Sequence, residues 1–347
     1  MVWELGGGVV EQVESYKYLG LDLKGNLSWG MYKSRLIGKA RKNMVSSWSM
    51  GIQSGLMSVG AAIGVWKALV RPVLEYGVEV WGDEKWEEAE KIQREMGRRI
   101  MGVKSFTNNE VVLGDLGWWR MKARRDLLKL KFWWKLLKMK SDRFTRLVYA
   151  WDSTSKLERS WSSRIEALLQ GLGLHEYWKS QETGMNIKEW ETLVRAKIQE
   201  REQKVWWNKV LESRKLRTYR LVKNELKMEE YLGNEDDKGR REMAKVRSGT
   251  SDLRIETGRH LQEKQKVEER RCWFGCGVVE DEKHFLLERT MDDDIRKETV
   301  EELGQAKYES RGLDILLGKG NMEEIKIGAT YIKRAIARRE RVLKFVN

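Results

Sequence analysis

Two cysteines and a histidine near the C-terminal end of the chain have the residue types and the spacing of a metal site. Cys272, Cys276 and His284 follow the pattern C-x3-C-x7-H. Thiolate and imidazole groups suit zinc, and the short loop between the cysteines lets both sulfurs reach one ion. A structural zinc site takes four ligands, so the three residues predict zinc binding that is weak or absent unless a fourth ligand completes the site.

The fourth ligand position, five residues after His284, is occupied by Arg289. A guanidinium cannot ligate a cation, and its charge would oppose one. Water or a neighbouring carboxylate could supply an oxygen instead. The carboxylates near enough in sequence are Glu282, Glu288 and Asp292.

Other catalytic arrangements are not indicated by the sequence. Two-metal polymerases and nucleases need rigidly held carboxylates, but Asp236 and Asp237 lie in a polar stretch, and residues 292–294 stand where a helix is expected to begin. Acidic residues at that position suit helix capping and the helix dipole. His175 and His260 stand alone, and neither a GxSxG nucleophile elbow nor a Walker-type glycine loop occurs. We therefore predict no catalytic residue in this chain and no small-molecule substrate.

The charge balance predicts a polyanionic partner. The 347 residues include 67 Lys and Arg against 53 Asp and Glu, a formal net charge of +14. Nucleic acid is the first candidate for such a chain and an anionic membrane surface the second, although a basic protein need have neither. Two cysteines cannot build a disulfide framework and no secretory signal opens the chain, so we expect an intracellular protein, nuclear or cytoplasmic.

An uncharged stretch at residues 44–66 has the length of a membrane span but not the composition. Five serines, four glycines and a glutamine make it only weakly apolar. Gly51 and Gly55 instead indicate a turn between two helices. We predict no membrane association from this segment.

The residue patterns predict a mainly α fold with a short β-hairpin at the N-terminus. Leu19, Leu21 and Leu23 alternate with polar residues, which indicates a strand, and the first arm of the hairpin is expected at Val9–Val13. Helical patterns follow at about 29–49, 56–81, 84–103, 117–140, 158–171, 187–212, 214–232 and 322–346. The polar stretch 233–250 is predicted to be a linker.

The helix predicted at residues 118–140 carries two apolar stripes with cations between them. Residues 123, 127, 130, 134 and 137 form one stripe, and residues 121, 128, 132 and 139 form another on roughly the opposite side. Such a helix should pack between two apolar surfaces and leave its cationic edges free for phosphates. Trp133 could stack on bases, although burial is the commoner fate. The predicted phosphate contacts are Arg120, Lys122, Arg124, Arg125, Lys129, Lys131, Lys135 and Lys138, with Arg98 and Arg99 in support.

Several of these segments resemble the C-terminal part of the reverse transcriptase of non-LTR (LINE-type) retrotransposons. VESYKYLGLDL at 13–23 resembles the primer-grip hairpin that follows the polymerase palm, and the zinc-knuckle-like tail of that family is similar to residues 247–260 and 268–289. The segments similar to the family's thumb are 65–82, 87–103 and 111–134, whereas 150–235 is a generic helical region.

The residue patterns and the resemblance together divide the chain into regions. We expect a primer-grip-like hairpin at 1–27, a helical thumb-like domain at 28–149, a helical extension at 150–232, the linker at 233–250, a zinc-knuckle-like unit at 251–317 and a C-terminal helix at 318–347. In the hairpin, the residues matching the primer grip are Tyr16, Lys17, Tyr18, Leu19 and Gly20. The family's fourth knuckle cysteine falls at Arg289.

The resemblance also implies a function without catalysis. The family's fingers and palm, with the aspartates that hold catalytic metal ions, would lie before residue 1. We therefore expect a non-catalytic nucleic-acid-binding fragment whose partner is RNA or an RNA/DNA duplex, bound through its backbone. The alternatives are a helical protein-interaction module and a transposon relic without function.

Overall fold

The computed structural model describes residues 3–6, 8–26, 28–52, 54–83, 85–155, 157–261 and 263–346. The expected regions 1–27 and 318–347 therefore extend to positions outside the described residues. The chain forms two compact units. Unit 1 comprises Met1–Ser46, Val65–Ile92 and Met121–Lys197, and unit 2 comprises Ser47–Gly64, Gln93–Arg120 and Ile198–Asn347.

The mainly α fold predicted from the sequence is confirmed. The helices of the first half are α1 Gly30–Ser47, α2 Val59–Val65, α3 Arg71–Glu75, α4 Val78–Trp81, α5 Glu87–Met101, α6 Asn109–Leu116, α7 Met121–Lys138, α8 Phe144–Ser155 and α9 Trp161–Gly171. Those of the second half are α10 His175–Ser180, α11 Ile187–Glu212, α12 Tyr219–Val222, α13 Asp237–Arg247, α14 Arg254–Thr257, α15 Asp293–Leu303, α16 Gln305–Leu316 and α17 Met322–Val346.

The strands form two small hairpins in unit 1, and the pairing differs from the prediction. Strand β1 (Trp3–Leu5) pairs with β2 (Gly8–Val10), and β3 (Ser15–Tyr18) pairs with β4 (Leu21–Lys24). The strand that contains Leu21 and Leu23 is therefore present, but its partner is β3 rather than Val9–Val13. The reason is the turn at Leu19 and Gly20, where both residues have positive φ, as a tight two-residue hairpin requires.

The turn of the second hairpin is held by side chains from elsewhere in unit 1. Tyr76 donates a hydrogen bond from its hydroxyl to the Leu19 carbonyl at 2.6 Å, and Arg35 donates to the Gly20 carbonyl at 2.6 Å. A Cβ at Gly20 would lie 3.3 Å from the Tyr76 ring. These contacts offset the cost of a positive φ at Leu19, which a residue with a side chain rarely adopts.

The glycines of the uncharged stretch make the predicted turn. Gly51 and Gly55 have φ of +97° and +77° between the end of α1 and the start of α2. A Cβ at Gly55 would lie 2.3 Å from the Asp237 carboxylate, and the positive φ there favours glycine. Within the described residues, no helix is both long and apolar enough to cross a membrane.

The region between residues 214 and 250 differs from the prediction in two ways. The continuous helix expected at 214–232 is replaced by short helical segments that include α12, and the polar stretch 233–250 contains α13. Asp236 begins α13 by accepting a hydrogen bond from the Gly239 N–H at 3.1 Å, and Met243 and Arg247 on that helix are fully buried. The stretch 233–250 has the composition of a linker, but several of its charged residues form ion pairs inside unit 2.

The core of unit 1 is built around α7 and tryptophans. Trp133, fully buried, donates from its indole N–H to the Tyr149 hydroxyl at 2.8 Å, and Trp190 donates to the Leu130 carbonyl at 2.9 Å. Helix α7 packs against α4, α8 and α9. The two apolar stripes therefore do pack on more than one side, while the burial of Trp133 excludes it as a base-stacking residue.

Candidate nucleic-acid interface and metal cluster

The structure brings the three predicted metal ligands together in unit 2. One ligand atom from each of Cys272, Cys276 and His284 lies within 4.8 Å of the other two. The Cys272 N–H donates to the Val278 carbonyl at 2.8 Å, which closes the loop that carries both thiols. The His284 N–H donates to an Asp281 carboxylate oxygen at 2.8 Å, so the imidazole stands at the start of a helical turn.

The chemistry of this cluster fits a metal ion. The His284 ring is 3% exposed, and neither ring nitrogen has a hydrogen-bond partner within the described part of the chain. Buried polar atoms are rarely left in that state, and a metal ion would satisfy one of the two nitrogens. Burial raises the pKa of the Cys272 thiol to about 11. A bound ion would therefore have to displace the thiol protons.

Arg289 occupies the fourth position of the pattern but points into the interior. Its side chain is fully buried, and the Nε donates to Asp292 at 2.6 Å. Its guanidinium lies 4.6 Å from the centre of the Phe285 ring and also donates to the Ala335 carbonyl at 3.2 Å. The arginine is therefore an internal ion-pair and packing residue.

Of the three candidate carboxylates for a fourth ligand, Glu288 is the most accessible, and its ion pair is with the exposed Lys283 at 3.3 Å. Glu282 accepts hydrogen bonds from Arg217 at 2.7 Å and from Thr218 at 3.0 Å, and Asp292 is engaged by Arg289. Glu288 is half exposed, and its Oε2 lies 3.7 Å from the His284 Nδ1. Two thiolates, an imidazole and either this carboxylate or water make a donor set that zinc accepts.

Cobalt, which reports thiolate coordination by visible absorption, should bind to the Cys272–Cys276–His284 cluster. We expect the native chain to give a thiolate-to-cobalt band that zinc abolishes by displacement, and Cys276→Ser to lose most of that band. His260→Ala is the matched control because His260 is exposed and lies outside the cluster. An equal band in the native chain and in Cys276→Ser would contradict a metal site here.

Most of the cations predicted on α7 are engaged within unit 1. Arg125 and Lys129 are buried, the first near the Gly82 carbonyl and the second against Asp83. Arg124 pairs with Glu75, and Lys131 pairs with Glu191 at 2.7 Å. Lys122 is exposed and pairs with Asp126 at 3.0 Å. These contacts hold α7 in place and leave little of Arg125 or Lys129 for a phosphate.

The exposed cations of this region that form no ion pair within the described residues lie at the C-terminal end of α7 and in the turn that follows. Lys135 and Lys138 are exposed, as are Lys140 and Arg143 beyond the helix. No acidic side chain among the described residues forms an ion pair with any of the four. Lys140 and Arg143 were not among the predicted contacts. Their signal in the sequence is the run of eleven basic and two acidic residues from Arg120 to Arg146.

The three predicted contacts that belong to unit 2 also have internal partners. Arg98 donates to the Thr107 carbonyl at 2.8 Å, and Arg99 lies 4.2 Å from the centre of the Trp48 ring. Arg120 pairs with Glu110 at 2.9 Å and with Glu202 at 3.2 Å. The charge of Arg120 is therefore balanced by carboxylates inside the unit, while Arg98 and Arg99 are held by a carbonyl and an indole ring.

The primer-grip-like residues form the exposed tip of the second hairpin in unit 1. Tyr16, Tyr18 and Leu19 are each more than half exposed, and Lys17 is exposed as well. Gly20 is half-buried against Tyr76. The tip thus exposes two phenol rings and one ammonium next to a turn that Tyr76 and Arg35 hold by hydrogen bonds.

A comparison with curated proteins shows one distant, partial similarity. The chain is 27% identical over 116 residues to the RNA-directed DNA polymerase from mobile element jockey of Drosophila melanogaster. The alignment covers 32% of this chain and 13% of that polymerase, so the chain spans a small part of its relative's length. No protein-family model matches the chain, and no solved structure matches it significantly. The similarity supports a distant relationship with a retrotransposon polymerase.

Proposed function

We propose that this chain is a non-catalytic nucleic-acid-binding fragment related to the thumb and C-terminal region of a retrotransposon RNA-directed DNA polymerase. Its ligand is RNA or an RNA/DNA duplex, and its contacts are to the phosphate backbone. The observation that carries the proposal is the set of exposed cations Lys135, Lys138, Lys140 and Arg143, unpaired within the described part of a chain of net charge +14. The similarity to a polymerase that uses an RNA template supports the choice of nucleic acid over other polyanions.

The physical basis of the proposed binding is counterion release. Each lysine or arginine that neutralises a phosphate frees a condensed cation, so affinity falls steeply with salt. Cations already paired with a carboxylate contribute less because the nearby negative charge offsets them. We therefore assign the main phosphate contacts to the four unpaired cations, with Lys122 and Lys17 in support. The residues paired inside the fold, such as Arg124 and Lys131, orient the surface that carries the contacts.

The salt dependence of binding tests this assignment. We expect the variant Lys135→Gln/Lys138→Gln/Arg143→Gln to bind a short RNA/DNA hybrid more weakly. The slope of log affinity against log salt should fall in magnitude by about 2 to 3, close to 0.9 for each phosphate that is no longer neutralised. Fluorescence anisotropy of a labelled hybrid across a salt series gives both quantities.

A matched variant separates this surface from net charge alone. Lys264→Gln/Lys297→Gln/Lys326→Gln removes the same number of charges from exposed positions of unit 2. It should change the slope much less than the unit 1 variant does. Equal losses in the two triple variants would contradict the assignment, and no binding by the native chain at low salt would contradict the proposed function itself.

A further inference from the structure

Helix α8 in unit 1 exposes an apolar face that the fold does not cover. Phe144 is 80% exposed, Leu147 54%, Val148 46% and Trp151 64%. Their spacing of three, four and seven residues places all four side chains on one side of the helix. We call this set the α8 face. Four large apolar side chains exposed together indicate a contact surface.

The orientation of α8 is fixed by the buried residue Tyr149 on the side opposite the α8 face. Tyr149 is 4% exposed, and its hydroxyl accepts from Trp133 at 2.8 Å. The same hydroxyl bonds to the Gln181 side chain. Since these buried hydrogen bonds would break if the helix turned about its axis, the α8 face cannot rotate inward. Its exposure is therefore a property of the folded unit.

The charges next to the α8 face favour an anionic ligand. Lys140 and Arg143 immediately precede the helix, are exposed, and form no ion pair with an acidic side chain of the described residues. Arg146 lies on the helix with its guanidinium 5.2 Å from the centre of the Tyr149 ring. The acidic residues among 140–155 are Asp142 and Asp152, and Asp152 accepts a hydrogen bond from the Ser162 N–H at 2.8 Å. An apolar surface beside unpaired cations suits a ligand that is both aromatic and negatively charged.

We infer that the α8 face is a stacking platform for unpaired nucleotides, with Lys140 and Arg143 contacting their phosphates. The inference rests on the proposed function and extends it from duplex to single-stranded nucleic acid. The two ends of the face are aromatic, and they lie seven residues apart, about 10 Å along the helix axis. Phe144 and Trp151 therefore stack on different nucleotides, and Leu147 and Val148 form the apolar surface between them. Sequence preference should be weak because every base has an aromatic face.

Binding of two probes, a short labelled oligouridylate and an RNA/DNA hybrid of matched length, tests the inference. We expect Phe144→Ala/Trp151→Ala to bind the oligouridylate at least about tenfold more weakly, since removing each stacking ring weakens binding several-fold or more. The affinity of the double variant for the hybrid should stay within about twofold of the native value. The single variant Trp151→Phe, which keeps a ring at position 151, should keep most of the native affinity for the oligouridylate. Phe106→Ala is the matched control because Phe106 is an exposed ring, 59% accessible, in unit 2.

Three other outcomes would contradict the inference, and each has a different consequence for the proposed function. Unchanged oligouridylate binding by the double variant, with hybrid binding intact in all proteins, would remove the stacking platform and leave the proposed function standing. Failure of the native chain to bind either probe would remove both. Sedimentation that shows the double variant as a monomer and the native chain as a dimer, with equal binding of the oligouridylate, would identify the α8 face as a contact between two copies.

Discussion

Replacing Arg289 by methionine is expected to lower the free energy of unfolding by about 3–5 kcal/mol, because it leaves the buried carboxylate of Asp292 without its bonded cation. Asp292 is fully buried and bonded to Arg289 at 2.5 Å, whereas Glu280, also fully buried, lies 3.9 Å from the same guanidinium and keeps two hydrogen bonds from Arg339 at 2.9 Å. Burial already raises the pKa of Asp292, and Arg289 opposes that rise. Without the arginine, Asp292 would take up a proton or bury an unbalanced charge, and either costs stability.

Urea unfolding followed by circular dichroism measures this effect. The matched control is Arg334→Gln, which breaks a surface ion pair with Glu298 whose two side chains are 42% and 50% exposed. Exposed pairs of this kind contribute at most about 1 kcal/mol. Equal shifts of the unfolding midpoint in the two variants would contradict a structural role for Arg289.

Because Arg289 is buried in the interior, we expect that Arg289→Cys does not restore a four-ligand zinc site. A cysteine at this position would replace a side chain that points toward Asp292 and Ala335, away from solvent. The variant should therefore be destabilised about as much as Arg289→Met, with cobalt absorption no stronger than in the native chain. A stable Arg289→Cys protein with an added thiolate band would show that the arginine side chain is easily displaced.

Replacing Arg247 by methionine should be as damaging as losing Arg289. Arg247 is fully buried in unit 2 and pairs with Glu229 at 2.8 Å and Asp115 at 3.3 Å. Burial opposes its charge, but the two carboxylates outweigh this and raise the pKa of Arg247 above its ordinary value. Removing the arginine leaves the buried Asp115 without its cation, while Glu229 keeps Lys223 at 2.7 Å, and we expect a loss of about 3–5 kcal/mol in the free energy of unfolding.

The network around Asp115 allows a graded test of that prediction. The Asp115 carboxylate accepts hydrogen bonds from Tyr219 at 2.9 Å and Tyr231 at 2.7 Å, and Tyr219→Phe removes one of them at a cost of about 1 kcal/mol. Chemical unfolding should therefore rank Arg247→Met well below Tyr219→Phe in stability. Lys204→Gln, which breaks an exposed pair with Glu200, should be nearly neutral. A neutral Arg247→Met would show that the buried charges are dispensable.

The ion pairs of helix α7 could not be predicted from the sequence. The stripes of α7 and its excess of lysine and arginine are local patterns, and both are present in the structure. The sequence could not show that Glu75, Asp83 and Glu191 lie beside three of those cations, because each comes from a distant part of the chain. Among the residues that the structure describes, the cations of this region without an ion pair lie instead at the end of α7 and in the following turn.

The N-terminal hairpin and the polar stretch 233–250 show the same limit. Alternation at period two located the strand that contains Leu21 and Leu23, but the choice of partner depended on a turn with positive φ at Leu19 that Tyr76 and Arg35 hold in place. Composition indicated a linker at 233–250. Its Arg247 is instead neutralised by Asp115, more than a hundred residues earlier in the chain.

The sequence by itself determined the mainly α class, the cation-rich helix and the Cys272–Cys276–His284 cluster. Each of these depends on residue types and their spacing within a short segment. Local backbone geometry then determines which of those residues lie on the same side. Only the tertiary structure decided which cations stay unpaired, that Arg289 joins the interior, and that α8 exposes Phe144 and Trp151. Those outcomes depend on which distant carboxylates and apolar faces meet in the folded units, and no local spacing carries that information.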